Sequence, residues 1–177
     1  MSGSSEIELT HLFFWSGPFS QWQRCEFVLD GMTFNTAEQA MMYRKAMLFH
    51  DQDVAQKILK TRDAKKQKAL GRTVKNFDPT KWDAEKEGVV REANRAKFGQ
   101  NKGLRRKLFQ TGTKMLVEAS PLDLIWGIGL DEKNARLTPP EQWPGENLLG
   151  KILTEVRDEL REIHPDEAAG VTVEGLR

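Results

Sequence analysis

The sequence predicts a helix-rich α+β fold, a single domain of helices around a small β-sheet, and three observations predict it. Asp30-Gly31 sits between two short apolar runs, residues 26–29 and 32–34, the pattern of a tight hairpin. Most of the remaining chain carries apolar residues at three- and four-residue spacing, punctuated by helix starts at Thr36, Asp63 and Asn147 and a stop at Gly71. The chain has 177 residues, 38% of them hydrophobic and 30% charged, which suits one domain with a full core.

Taken in order, residues 1–8 are expected to form a flexible arm, residues 9–163 the folded domain, and residues 164–177 a flexible tail. Leu12-Phe13-Phe14-Trp15 reads as a short strand that Ser16-Gly17-Pro18 breaks. After the hairpin, Thr36 with Gln39 three residues on forms a capping box, so a helix is expected over residues 37–49. A second helix is expected over residues 52–60, and a third from Asp63 to its stop at Gly71. Asp78-Pro79 reads as a turn around Trp82, with Asp83 capping a longer helix in which Val89, Val90, Ala93, Ala96 and Lys97 keep helical spacing. Leu104, Leu108 and Phe109 mark a short helix, residues 114–119 a strand, and residues 127–145 a long loop of the kind that often carries function. Asn147 is expected to cap the last helix, whose apolar face is Leu148, Leu149, Ile152, Leu153, Val156 and Leu160.

The formal net charge is +1, so no overall field draws the protein to nucleic acid or to a membrane. Local basic clusters, Lys65, Lys66 and Lys68 or Lys102, Arg105, Arg106 and Lys107, read first as solvated helix faces. Cys25 is the only cysteine, which excludes an internal disulfide, and His11, His50 and His164 are too scattered to form a zinc site with it. No secretory signal pattern opens the chain and no apolar run has transmembrane length, so a soluble, cytoplasmic protein with no membrane partner is expected.

The chemistry concentrates in four places. In the helix after Thr36, Glu38 and Lys45 lie seven residues apart, about 700° of helical rotation and roughly 10 Å of rise, so they share a stripe with Met42 between them. A carboxylate and an amine on an apolar stripe are costly to bury without a task. Gly17-Pro18-Phe19-Ser20-Gln21-Trp22 is a turn where the backbone can come close to a ligand and Phe19 or Trp22 could stack on a flat ring. Trp82 could wall a pocket or close a helix start. Asp123-Leu124-Ile125-Trp126-Gly127-Ile128-Gly129 sets an acid and a tryptophan before two glycines at a strand end, where backbone can approach phosphate or sugar. Each also has a structural reading: exposed helix charges, core aromatics, and an aspartate that caps a turn.

In this order and spacing, these pieces resemble the NADAR family, the YbiA-like N-glycosidases, over residues 13–162. The most specific matches are Gly17-Pro18-Phe19-Ser20, Thr36-Ala37-Glu38, Arg44-Lys45-Ala46, Leu70-Gly71-Arg72, Ala96-Lys97-Phe98, residues 123–129 and Asn147-Leu148-Leu149-Gly150. The chain departs from the family pattern at Gln21, where Asn is usual, at Gln39, where His is frequent, and near Cys25, where Pro is common.

The resemblance implies hydrolysis of an N-glycosidic bond between ribose C1 and an exocyclic amine, with no metal and no cofactor. Two substrate classes follow from it: ADP-ribose on guanine in DNA, RNA or a nucleotide, and the early ribosylamino-pyrimidine intermediates of riboflavin synthesis. The first would pair the enzyme with an ADP-ribosyltransferase toxin. It further implies Lys45 as a Schiff-base nucleophile, Glu38 as proton carrier and Asp123 as an acid that holds ribose hydroxyls or assists proton transfer. Substrate contacts are expected from Gly17, Phe19, Ser20, Gln21, Trp82, Trp126, Gly127 and Asn147, with Arg44 or Arg72 on phosphate. The reading from another class is a non-catalytic ADP-ribose or NAD-binding module, which would have no use for a desolvated amine beside a carboxylate.

Overall fold

The computed structural model describes residues 3–173. Met1 and Ser2 of the expected arm and residues 174–177 of the expected tail lie outside the described residues. The fold is α+β and helix-rich, with its strands in two separate pairs. The chain divides into two compact units, residues 21–102 and residues 1–20 with 103–177.

In the unit of residues 21–102, β2 (Phe27–Leu29) and β3 (Met32–Phe34) pair antiparallel, Phe27 facing Phe34 and Leu29 facing Met32. Asp30 and Gly31 both take positive φ, 52° and 75°, the two left-handed residues that match a tight turn to strand twist. α2 (Ala37–Leu48) starts where the capping box places it: Gln39 N–H donates to Thr36 Oγ1 at 3.0 Å. It is the central element, packed on α3 (Gln52–Lys60), α4 (Ala64–Gly71) and α5 (Pro79–Gln100). Gly71 admits the close approach of α4 to α2, because a Cβ there would fall on the Met42 side chain. Phe27, Phe34, Ala40 and Ala93 form a buried cluster with Tyr43 and Leu59 against it.

One helix begins earlier than the sequence suggests. α5 starts at Pro79, with Asp78 as N-cap accepting from Thr80 N and Lys81 N, so Trp82 stands in its first turn and Asp83 is an ordinary helical residue. Asp followed by Pro at the first helical position is the stronger start signal, since proline there lacks only an N–H that has no helical partner.

In the other unit, β1 (His11–Phe14) pairs parallel with β4 (Met115–Glu118), His11 opposite Met115. α8 (Leu148–Ile163) packs on β4 and buries Leu149, Ile152, Leu153, Val156 and Leu160. Residues 3–8 of the expected flexible arm are wound, together with Leu9 and Thr10, into α1 (Gly3–Thr10), which contacts α7 (Glu132–Leu137), and Glu8 pairs with Arg136. α7 and a 3-10 turn at Pro140–Gln142 also give structure to the expected long loop. Past α8, α9 (Pro165–Ala169) occupies part of the expected tail, and Glu167 receives Arg105 at 2.9 Å; Arg105 lies on α6 (Lys102–Phe109). Among the described residues, no helix is long and apolar enough to cross a membrane.

Candidate active site

Within residues 21–102, Glu38 and Lys45 share the expected stripe of α2. Glu38 is buried, 6% exposed, and its backbone N–H donates to Gln21 O at 3.0 Å. Lys45 is partly buried, its Nζ 4.5 Å from the Phe77 ring centroid and 5.8 Å from that of Trp82. Phe77 stands edge-on against Phe49, their centroids 5.3 Å apart, and Trp82 is buried. This apolar surround holds the Lys45 amine below the ordinary lysine range; the Glu38 carboxylate pushes back up and the Arg72 guanidinium pushes further down. The rings act both ways, since an aromatic face favours an ammonium while displacing its water. Burial wins, so more of the amine is neutral than in a solvated lysine.

Arg72 is the C-cap residue of α4, placed by the same Gly71 approach that seats Met42. Arg44, one residue before Lys45, has its guanidinium held by Asp30 at 2.6 Å and Glu92 at 2.8 Å.

Gln21 and Asn94 form a buried amide pair. Asn94 Nδ2 donates to Val90 O and to Gln21 Oε1, both at 2.9 Å. The Val90 carbonyl fixes which end of Asn94 is the donor, and that fixes which end of Gln21 accepts. Gln21 Nε2 and Asn94 Oδ1 are then left buried without a hydrogen-bond partner, a donor and an acceptor in reserve. Asn94 is a candidate the sequence reading missed; an asparagine inside a helical apolar run was the available signal.

A second lysine of this unit belongs to the helical spacing and to the Ala96-Lys97-Phe98 match, with no role attached to it. Lys97 is fully buried, with its Nζ 4.8 Å from the Phe98 ring centroid, and burial lowers its pKa to about 8. Gln39, where the family has a frequent His, is a structural residue: its Nε2 donates to Ile58 O, Leu59 O and Thr61 O, and its Oε1 accepts from Asn35 N.

The remaining candidates lie in the other unit. Gly17 has φ 81° and its carbonyl accepts from Ser20 N, closing the turn; Phe19 is buried edge-on to Phe14 at 5.7 Å. Asp123 Oδ1 accepts from Ile125 N at 2.9 Å and Trp126 N at 2.8 Å, so the carboxylate ties the turn that presents partly buried Trp126. Gly127 has no room for a side chain, with Glu118 O and Ser120 Cβ both 3.0 Å from where a Cβ would stand. Asn147 does occupy the N-cap position of α8, but in a left-handed conformation, φ 54°, without capping by its side chain. Its amide spans to β4 instead, Oδ1 accepting from Glu118 N and Nδ2 donating to Leu116 O, both at 3.0 Å. Among the described residues, no three His, Cys, Asp or Glu side chains stand together as a metal-holding set.

The model of the NADAR domain matches residues 13–161. The chain is 49% identical over 146 residues to "N-glycosidase R617" of Acanthamoeba polyphaga mimivirus, covering 80% of this chain and 86% of that one. It is 32% identical over 144 residues to "N-glycosidase YbiA" of Escherichia coli, 81% of each chain. The solution NMR structure of that protein superposes with a TM-score of 0.73, at 29% identity, over 89% of this chain and 88% of the other. A "Riboflavin biosynthesis protein" of Vibrio vulnificus is 32% identical over 141 residues, 80% of this chain but 35% of its own length. The chain belongs to the NADAR family.

Proposed function

We propose that this N-glycosidase removes ADP-ribose from the exocyclic amine of guanine, through a Schiff base between Lys45 and ribose C1. The observation that carries the reading is the Lys45 amine, its pKa lowered by burial against Phe77 and Trp82 and by Arg72, with buried Glu38 on the same stripe. An N-riboside on an exocyclic amine can open its sugar ring to an imine at C1. Neutral Lys45 Nζ adds to that carbon, and the base nitrogen takes a proton and departs as the free amine, leaving a protonated lysine imine. Water adds at C1, and collapse of the carbinolamine releases the ribose aldehyde and restores the lysine. Glu38 carries the protons, first to the departing nitrogen and then from the water. Asp123, Trp126 and Gly127 are proposed to serve ribose and base from their own loop, and Arg72 to combine lysine tuning with phosphate attraction.

A second substrate class, ribosylamino-pyrimidine phosphates, is favoured by the riboflavin-named relative. The same chemistry applies, because that substrate also joins ribose C1 to an exocyclic amine. Matched incubations separate the two: release of ADP-ribose with return of guanine supports the first, and cleavage of the pyrimidine riboside alone overturns it. Borohydride added during turnover should trap the ribosyl product on Lys45. Lys45→Ala and Lys45→Arg should both lose trapping and turnover, since a guanidinium keeps the charge but cannot form an imine. Full activity in Lys45→Arg would overturn the Schiff base.

A further inference from the structure

The unit of residues 21–102 holds a cavity of about 180 Å³ walled by Trp22, Arg24, Thr36, Arg62, Asp63 and Lys65. None of the cations there belongs to the chemistry described above. Arg24 precedes β2, Arg62 lies in the turn between α3 and α4, and Lys65 is in the first turn of α4; all three are exposed. Three cations thus face one carboxylate, and Asp63 Oδ1 is already engaged by Lys66 N at 2.9 Å. The start of α4 adds the partial positive charge of a helix N-terminus. Trp22 is 44% exposed beside those charges.

The wall is braced from behind. Asn35 Nδ2 donates to Arg62 O at 2.8 Å, and Gln67 Nε2 donates to Asn35 Oδ1 at 2.8 Å and to Thr61 O at 2.7 Å. Thr36 Oγ1 donates to Gln67 Oε1 at 2.7 Å. These bonds fix the backbone of residues 61 and 62 and leave the Arg62 guanidinium facing out. A satisfied amide network rigidifies what it holds. The cavity is also tied to the Glu38 helix: Thr36 is the N-cap of α2, and Trp22 follows Gln21, whose carbonyl receives Glu38 N–H.

Cations beside an exposed indole are the pairing that single-stranded nucleic acid uses, phosphates on the charges and a base on the ring. The volume suits a phosphate with part of a nucleoside; whole drug-sized ligands occupy about 300 Å³ or more. We propose that this cavity is a subsite for a phosphodiester and its neighbouring base, one that holds the strand flanking the modified guanine. The proposal rests on the guanine reading above and gives that activity a preference for a strand over an isolated nucleotide.

The test is binding of an unmodified fluorescent single-stranded oligonucleotide, read by anisotropy, which requires no turnover. Wild type should bind it with a log–log salt slope of about −2, as expected for three cations on single-stranded phosphates. The triple variant Arg24→Ala, Arg62→Ala, Lys65→Ala should bind about tenfold or more weakly, with a slope near zero. Trp22→Ala should weaken binding at unchanged slope, because stacking is not a counterion effect. The triple variant should hydrolyse an isolated ADP-ribosylated guanosine as wild type does, while losing the advantage of the same group in an oligonucleotide. Equal oligonucleotide binding by wild type and triple variant, or none by wild type, overturns the proposal. Loss of ADP-ribose binding in the triple variant also overturns it, because the cavity then takes the substrate's own diphosphate. If only pyrimidine ribosides are cleaved, the guanine reading fails, and the anisotropy result still shows whether the cavity holds a strand.

Discussion

Lys97 allows a measurement that separates a low pKa from a catalytic role. Its amine is fully buried and its pKa falls from 10.5 to about 8. At roughly 1.4 kcal/mol for each pH unit, that gap amounts to about 3 kcal/mol of penalty for holding the charged form inside the fold. The unfolded chain binds a proton at this amine up to its ordinary value, the folded chain only up to about 8. Between those values the unfolded state binds more protons, so stability rises with pH. The contribution of this one group should grow by about 2 kcal/mol from pH 7 to pH 9.5 and approach the full ~3 kcal/mol above pH 10.5. The assay is urea denaturation of wild type and Lys97→Met across that range. The Cys25 thiol, which burial pushes up and the Lys97 charge pushes down, is coupled to this group, so both proteins are compared in a Cys25→Ala background, where the difference between the two curves cancels the groups common to both. Parallel curves would refute the reasoning. The same burial denies Lys97 to a substrate, so reductive alkylation of the folded protein should label Lys45 and spare Lys97, even though burial lowers the pKa of both amines.

Three further outcomes follow from the contacts. Arg72→Gln removes a charge that lowers the Lys45 pKa, so the acidic limb of the kcat profile at saturating substrate should move to higher pH, while kcat/KM stays below wild type at every pH because the proposed phosphate attraction is lost as well. Gly71→Ala places a methyl on Met42, which must shift; a cost of about 1–3 kcal/mol is expected in denaturation, as for overpacked cores, with reduced turnover because Met42 lies between Glu38 and Lys45 on the stripe. Asn147→Leu strands Glu118 N–H and Leu116 O, and roughly 2 kcal/mol or more should be lost in urea titration.

What was legible in the sequence was local. The Thr36 N-cap, the Asp30-Gly31 turn and the Gly71 stop each depend on residues within one turn of chain, and each stands where expected, although Gln39 Oε1 takes its bond from Asn35 N–H where a capping box would take it from Thr36. The parallel pairing of β1 with β4 joins residues about a hundred positions apart, and no local pattern announces it. Asp83 competed with Asp78 as a cap because both precede helical spacing; the proline at 79 decides for Asp78. In the candidate site, the shared stripe of Glu38 and Lys45 followed from helical periodicity alone. The contributions of Phe77, Arg72 and Asn94 did not, since each reaches the site from another helix or turn. Asn147 shows the opposite case: its position as helix cap was readable, while its side-chain bonds to a strand some thirty residues earlier were not.

The opposing influences on Lys45 suggest why a carboxylate is kept near an amine that must lose its proton. Glu38 as an anion favours the ammonium, and Arg72 and burial oppose it. If the ammonium passes its proton to Glu38, both charges vanish in one step, and the term that favoured the ammonium vanishes with them. A substrate that displaces water from the Phe77 and Trp82 faces deepens the desolvation of the Lys45 amine, and desolvation penalises the charged pair more than the neutral one. On the proposed chemistry, substrate binding therefore drives the proton from Lys45 to Glu38, producing the free amine needed for attack and the carboxylic acid needed by the departing base. Glu38→Gln removes the acceptor of that proton and the donor to the leaving group together. A loss of roughly 10²–10⁴ in single-turnover rate, with little change in binding of the uncleaved substrate, is the expected signature. A loss confined to binding would mean that Glu38 holds the substrate and leaves the proton where it was.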